Sequence, residues 1–165
     1  MFIRSSRLFL RPAWPEDRAD LPALADCAAL TGADPHWPTR HPRCVVTQPG
    51  PCGAALIGVA ALVPARADTE LVVWIAEHAR QRGLGLEAAQ AMLVLAGTLG
   101  HGRLIAHRFV DSPASARMLA RLGFVATGQT RICHSRVRGI DLMAEVHAID
   151  LAPPMADPPI LTRAA

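Results

Sequence analysis

The 165-residue chain has no lysine, no tyrosine and no asparagine. All 17 of its basic residues are therefore arginine, which reads as coding bias and not as a selected arginine surface. Without lysine, the nucleotide-binding loop G-x-x-x-x-G-K-[ST] cannot be built. Aromatic residues make up only 4% of the chain. Nucleic-acid surfaces want a concentrated basic stripe with aromatics interleaved, whereas these arginines are scattered, with local groups at Arg80/Arg82 and Arg131/Arg136/Arg138. The four cysteines, at 27, 44, 52 and 133, include no C-x-x-C pair, which argues against a zinc ribbon or a dithiol redox site. Cys133 and His134 are adjacent, and neighbours on a strand point to opposite faces, so they do not form a nucleophile pair. There is no signal-peptide pattern and no apolar run long enough to span a membrane. A cytoplasmic protein with free thiols is expected, with no metal, no nucleic acid and no membrane among its partners.

What remains is a chain rich in small apolar residues. Hydrophobic content is 51% and charged content 19%, enough for one well-buried domain. That domain is expected over residues 1–150, followed by a proline-rich tail over 151–165. The net charge of +3 is a modest basic excess that fits either a solvated surface or affinity for an anion such as a phosphorylated cofactor.

Hydrophobic periodicity sketches the elements. Arg7–Pro12 alternates and stops at proline, as a first strand would. Trp14–Leu30 reads as a helix with Pro22 inside it, so a later start or a kink is expected. The segment 31–42 is a loop carrying His36, Trp37 and His41, a candidate wall of an acceptor pocket. Arg43–Gln48, Ala54–Leu62 and Thr69–Ala76 read as strands, Leu84–Ala96 as a helix, and Arg103–Val110 as a strand. A short helix follows, with Ser112 as its cap, Pro113 in its first turn and Gly123 past its end. The stretches 124–132 and 139–149 close the domain as an antiparallel pair. Strands at both ends around a strand–helix–strand–helix passage predict an α/β fold on a mixed sheet.

The chemistry concentrates at "ARQRGLGLEAA", residues 79–89. A helix that starts at a glycine-rich turn exposes unpaired N–H groups and partial positive charge, and Arg80 and Arg82 add formal charge beside it. Gly83, Gly85 and Ala88 also match a dinucleotide fingerprint, but that motif wants an acid at the end of the next strand. His107 and Arg108 stand there instead, and Asp111 comes only afterwards.

Arg80-Gln81-Arg82-Gly83-Leu84-Gly85 resembles the [Q/R]-x-x-G-x-[G/A] acyl-CoA motif of the GNAT superfamily of N-acetyltransferases. Leu86-Glu87-Ala88-Ala89, the run Asp111–Phe124 and the opening Arg7–Leu24 resemble segments of its Rim-type, ribosomal-protein-acetylating branch. The three hits come in order and cover roughly residues 7–147.

The resemblance implies the GNAT fold, a mixed central sheet with helices on both faces. It implies acetyl-CoA as co-substrate, with the diphosphate held at Arg80–Leu86, the pantetheine arm paired with Val73, Trp74, Ile75 and Ala76, and further contacts from Ser112 and Ser115. It implies a backbone oxyanion donor at Trp74, a base at Glu70 and a hydroxyl at Ser115 that bonds the thiol, with His107 as a further candidate base. The tyrosine that many members use as acid is Leu119 here, and the family asparagine is Ser112. The acid that ribosomal-protein acetyltransferases carry on the following strand is missing; Cys133, His134 and Ser135 stand nearest its place, which argues against a ribosomal-protein acceptor. The expected reaction is acetyl transfer to a primary amine, of a peptide N-terminus or a small molecule, by a monomer or homodimer. The rivals are a longer acyl donor and a GNAT-like acyl-CoA sensor without turnover.

Overall fold

The computed structural model describes residues 2–19, 40–51, 53–135 and 139–151. Eight strands form one sheet: β1 (Ile3–Arg4), β2 (Phe9–Arg11), β3 (Arg43–Gly50), β4 (Gly53–Ala65), β5 (Asp68–Ile75), β6 (Arg103–Phe109), β7 (Val125–Ser135) and β8 (Ile140–Asp150). Their order across the sheet is β1-β2-β3-β4-β5-β6-β8-β7. Every neighbouring pair is antiparallel except β5 and β6, which are parallel and joined through helix α1 (Leu84–Thr98). A second helix, α2 (Pro113–Leu122), links β6 to β7.

Sequence chemistry accounts for these elements. The centre of β4, Val59–Leu62, is wholly buried, as befits a strand covered on both faces. On α1, Leu84, Ala88, Met92 and Leu95 recur at helical spacing and are buried, and the alanines let the helix approach the sheet closely. They join Leu71, Ile75, Leu104 and Ala106 of the sheet and Leu119 and Leu122 of α2 in one core. Both helices among the described residues therefore cover the same face. The opposite face carries Val59 and Ala76 with Val72 and Trp74, and a patch of Ile105, Val146 and Ala148.

Most expected elements are present, with shifted ends. The first expected strand narrows to Phe9–Arg11, and Ile3–Arg4 pairs with it as an additional strand. Of the expected helix Trp14–Leu30, the described part is a 3-10 turn, Pro15–Ala19; the remainder, His36 and Trp37, and the tail beyond 151 lie outside the described residues. That turn is anchored by a buried bidentate pair, Arg11 with Asp17 at 2.6 and 2.8 Å. The hydrogen bonds from Arg11 outweigh desolvation and hold the Asp17 carboxyl below its ordinary value. Helix α2 has Pro113 in its first turn and ends at Gly123 with φ 87°, where Phe124 N–H returns to Leu119 C=O. The expected cap is different. The Ser112 hydroxyl bonds Ser115 Oγ at 2.8 Å and caps no backbone N–H, because a neighbouring hydroxyl competes for it.

Candidate active site

The site begins where β5 and β6 part. They pair only at Thr69↔Leu104 and Glu70↔Ile105, then diverge. Beyond Glu70, one edge of β5 loses its partner strand and its polar groups need another. Register decides which groups these are. Val59 lies opposite Trp74, and Ala76 N–H donates to Ile57 C=O at 2.8 Å. Antiparallel bonding alternates, so the N–H and C=O groups of Trp74 and Ala76 face β4, while those of Val73 and Ile75 face the gap. Trp74 C=O points at β4 so closely that a Cβ on Gly58 would sit 2.3 Å from it. The Trp74 N–H, expected to serve as a donor in the gap, faces β4 instead. The Ile75 carbonyl is already taken by Arg80 Nε at 2.8 Å, with the Arg80 guanidinium 5.7 Å from the Trp74 ring centre.

At the mouth of the gap lies the glycine turn. Gln81 and Gly83 have φ of 60° and 77°, and Gly83 is the residue before α1. No side chain caps the helix, and its first intrahelical bond is Glu87 N–H to Gly83 C=O. The N–H groups of Leu84, Gly85 and Leu86 thus have no intrahelical partner, as at any uncapped helix start. Gly85 packs under the strand end: a Cβ there would lie 3.5 Å from Ile75 Cγ1 and 3.7 Å from Met118 Sδ. Glu87 is the wrong charge for such a place, and the chain neutralises it. Its carboxylate accepts from Ser5 Oγ, Arg7 N–H and Arg7 Nε, each at 2.7 Å. Burial pushes this carboxyl up, but those hydrogen bonds and the Arg7 charge outweigh it and hold the group below its ordinary value. Arg7 Nη1 also bonds Arg82 C=O at 3.0 Å, tying the N-terminal hairpin to the turn. This clamp joins residues some 80 apart in sequence, and only the resemblance of the Arg7–Leu24 opening hinted at it.

At the root of the gap, Glu70, His107 and Arg131 meet. Glu70 Oε1 is 2.6 Å from His107 Nδ1, and Arg131 Nη2 is 3.2 Å from Glu70 Oε2 and 3.0 Å from His107 Nδ1. Glu70 and His107 are largely buried; Arg131 is half exposed. The sequence offered Glu70 and His107 as rival bases, and the fold makes them one unit; Arg131 was legible only as part of a basic group. Ser115 lies in the first turn of α2, bonded to Ser112, and Leu119, at the position where the resemblance implied a tyrosine, is buried. Cys44 is a core residue whose thiol burial pushes up to about 11, which removes it from nucleophilic chemistry. No cluster among the described residues could hold a metal ion, and no described helix is long and apolar enough to cross a membrane.

Comparison with known proteins bears on this arrangement. Residues 7–125 match the family model described as Acetyltransferase (GNAT) domain. No curated protein matches the chain. Among solved structures, YncA from Salmonella typhimurium, determined with its cofactor acetyl-CoA, superposes with a TM-score of 0.66 at 20% identity, covering 93% of this chain and 99% of that one. A GNAT-family acetyltransferase from Bacillus anthracis gives 0.68 at 17% identity, covering 91% and 98%. RimL, a ribosomal L7/L12 alpha-N-protein acetyltransferase solved in its apo form, gives 0.68 at 17% identity with the same coverage.

Proposed function

The chain belongs to the GNAT acetyltransferase family, and from that premise we propose that it transfers an acetyl group from acetyl-CoA to a primary amine, of a peptide N-terminus or a small molecule. The observation that carries this reading is the parting of β5 and β6 with an uncapped helix start at its mouth. Backbone groups of Val73 and Ile75 pair with the amide-bearing arm of the donor. The N–H groups of Leu84–Leu86, with Arg82 beside them, hold its diphosphate. A gap-facing backbone N–H in this stretch stabilises the oxyanion of the attacked carbonyl. Glu70 and His107 together take the proton from the amine, and the Ser115 hydroxyl hydrogen-bonds the departing thiolate. A YncA structure holding acetyl-CoA in the same fold supports the choice of donor.

Two measurements test this. Calorimetry should show coenzyme A binding to the wild type and a loss of at least tenfold in Gly83→Glu. Gly83→Ala, which carries the same left-handed strain without charge, separates repulsion of the diphosphate from backbone cost. Thiol release is then followed with acetyl-CoA and glycinamide, a Ser-Ala-Pro tripeptide amide or spermidine. Unchanged affinity in Gly83→Glu would remove the diphosphate site. Coenzyme A binding with no thiol release on any amine would favour an acyl-CoA sensor, and faster release from butyryl-CoA would favour a longer acyl donor.

A further inference from the structure

Proton placement at the Glu70–His107 contact follows from the chemistry of the groups. An ionised carboxylate only accepts, and a guanidinium only donates. His107 Nδ1 lies 2.6 Å from Glu70 Oε1 and 3.0 Å from Arg131 Nη2, and it cannot donate to one and accept from the other in the same tautomer. The shorter contact, to the opposite charge, decides: Nδ1 carries the proton and donates it to Glu70. Arg131 then serves Glu70 through Oε2. Each carboxylate oxygen thereby has one partner, and the pair of contacts holds Glu70 against the ring.

The other ring nitrogen is in the opposite condition. With Nδ1 protonated, the neutral ring has its lone pair on Nε2. That atom is buried and has no hydrogen-bond partner, and the side chain is only 9% exposed. His107 lies on β6 two residues past Ile105, the last residue of β6 paired with β5, so it stands where the strands have begun to part. On β8 its opposite residue is Val146, which brings no charge. Arg131 on β7 and Glu70 on β5 are the charged groups that face it, and Cys133 sits beyond Arg131 at 3.2 Å from its Nε. His147 also has an unpartnered ring nitrogen, but it pairs with Ala106 on the helix-covered face, beside Arg108 and Glu145, and is turned away from this site.

We infer that His107 is the general base of acetyl transfer, with Nε2 as the accepting atom and Glu70 as the positioning residue that fixes the tautomer and balances the imidazolium charge. This rests on the acetyltransferase reading above. Nε2 takes one proton from the substrate ammonium, directly or through one water, and passes it to solvent. The neutral nitrogen then forms a bond to the acetyl carbon, and the carbon–sulfur bond breaks. The second nitrogen proton ends on the departing thiolate, so ammonium and thioester give amide, thiol and one released proton.

The test uses the fastest acceptor among glycinamide, the Ser-Ala-Pro amide and spermidine. His107→Gln should lower kcat/KM by about one hundredfold or more while coenzyme A affinity, read by calorimetry, stays within twofold. In His107→Ala, added imidazole should restore turnover in proportion to its neutral form, which a purely structural histidine would not allow. The His107→Gln loss should shrink at high pH, where more of the acceptor amine is already neutral, whereas a merely structural loss would not; Glu70→Gln should lower kcat/KM by less than His107→Gln. Long-range nitrogen–proton NMR of the coenzyme A complex should show His107 protonated at Nδ1 and bare at Nε2. Turnover within threefold of wild type in His107→Gln, absence of imidazole rescue, or a proton on Nε2 would each overturn the inference. A wild type that binds coenzyme A yet acetylates none of the three amines would instead overturn the acetyltransferase reading, and this inference with it.

Discussion

The two ends of the β5–β6 pair each hold a buried histidine, and the two are finished differently. At the paired end, His101 uses both ring nitrogens: Nδ1 meets Thr69 Oγ1 at 3.1 Å and Nε2 meets Arg40 C=O at 2.6 Å. Thr69 in turn reaches His41 Nε2 at 3.2 Å. At the parting end, His107 uses one nitrogen and leaves the other bare. Buried polar groups are normally satisfied, so a complete chain marks a histidine that holds structure. A half-complete one, beside a sheet edge that has lost its partner strand, is the feature on which the proposed base rests. The same strand therefore serves two purposes within eight residues: it is sealed at Thr69 and open at Val73 and Ile75.

The comparison breaks most visibly under paired substitutions. His107→Ala should lower turnover by roughly one hundredfold or more with little change in melting. His101→Ala should do the reverse. It strands Thr69 and the Arg40 carbonyl and should cost about 1–3 kcal/mol of stability by urea denaturation, with turnover per folded molecule within threefold. Equal effects of the two substitutions on turnover would erase the distinction.

A second substitution probes how the open end is held open. Gly58 lies opposite Ile75, and an added Cβ would sit 2.3 Å from Trp74 C=O and 3.2 Å from Ile75 Cα. Backbone cannot yield there as a flexible side chain would. Gly58→Ala should destabilise by about 1–3 kcal/mol, read by the same denaturation, and weaken coenzyme A binding through the displaced β5 edge. Unchanged stability would show that β4 and β5 are less rigidly registered than the account requires.

The smallest expected effect lies at the sealed end. Burial, then the nearby charges of His101 and Arg40, hold the His41 imidazole below its ordinary value of 6.5. The unfolded chain therefore binds more protons just below pH 6.5, and stability falls as pH drops through that value toward the lower folded one. Thermal melting from pH 7.5 to 5.5 should show this decline, and His41→Gln should flatten that part of it. A His41→Gln curve parallel to wild type would remove His41 from the pH dependence.

Much of the open end was legible because its signals are local. The turn Arg80–Gly85 needs only a glycine with positive φ and a helix behind it, and Gly83 and α1 supply both. Pro113 and Gly123 mark the ends of α2 for equally local reasons. Glu70 is expected as a base on the strand before the turn, and it stands on β5. What escaped depends on register across long separations. The contact of Glu70 with His107 spans 37 residues and exists because Glu70 pairs with Ile105, which sets His107 two residues further on along the same face. Which of Val73, Trp74 and Ile75 faces the gap follows from the β4 register, and a shift of one residue reverses it. The Ser112 cap failed for a near neighbour, Ser115, that composition cannot weigh.

The claim that the β5 edge receives the acyl donor is tested most directly by amide hydrogen exchange, read residue by residue with and without coenzyme A. The account predicts that the Val73 and Ile75 amides exchange fast in the free protein and slow markedly when coenzyme A is added. The Trp74 amide, already facing β4, should be slow in both states. Protection that appears at Trp74 alone, or no change along Val73–Ile75 at saturating coenzyme A, would contradict it.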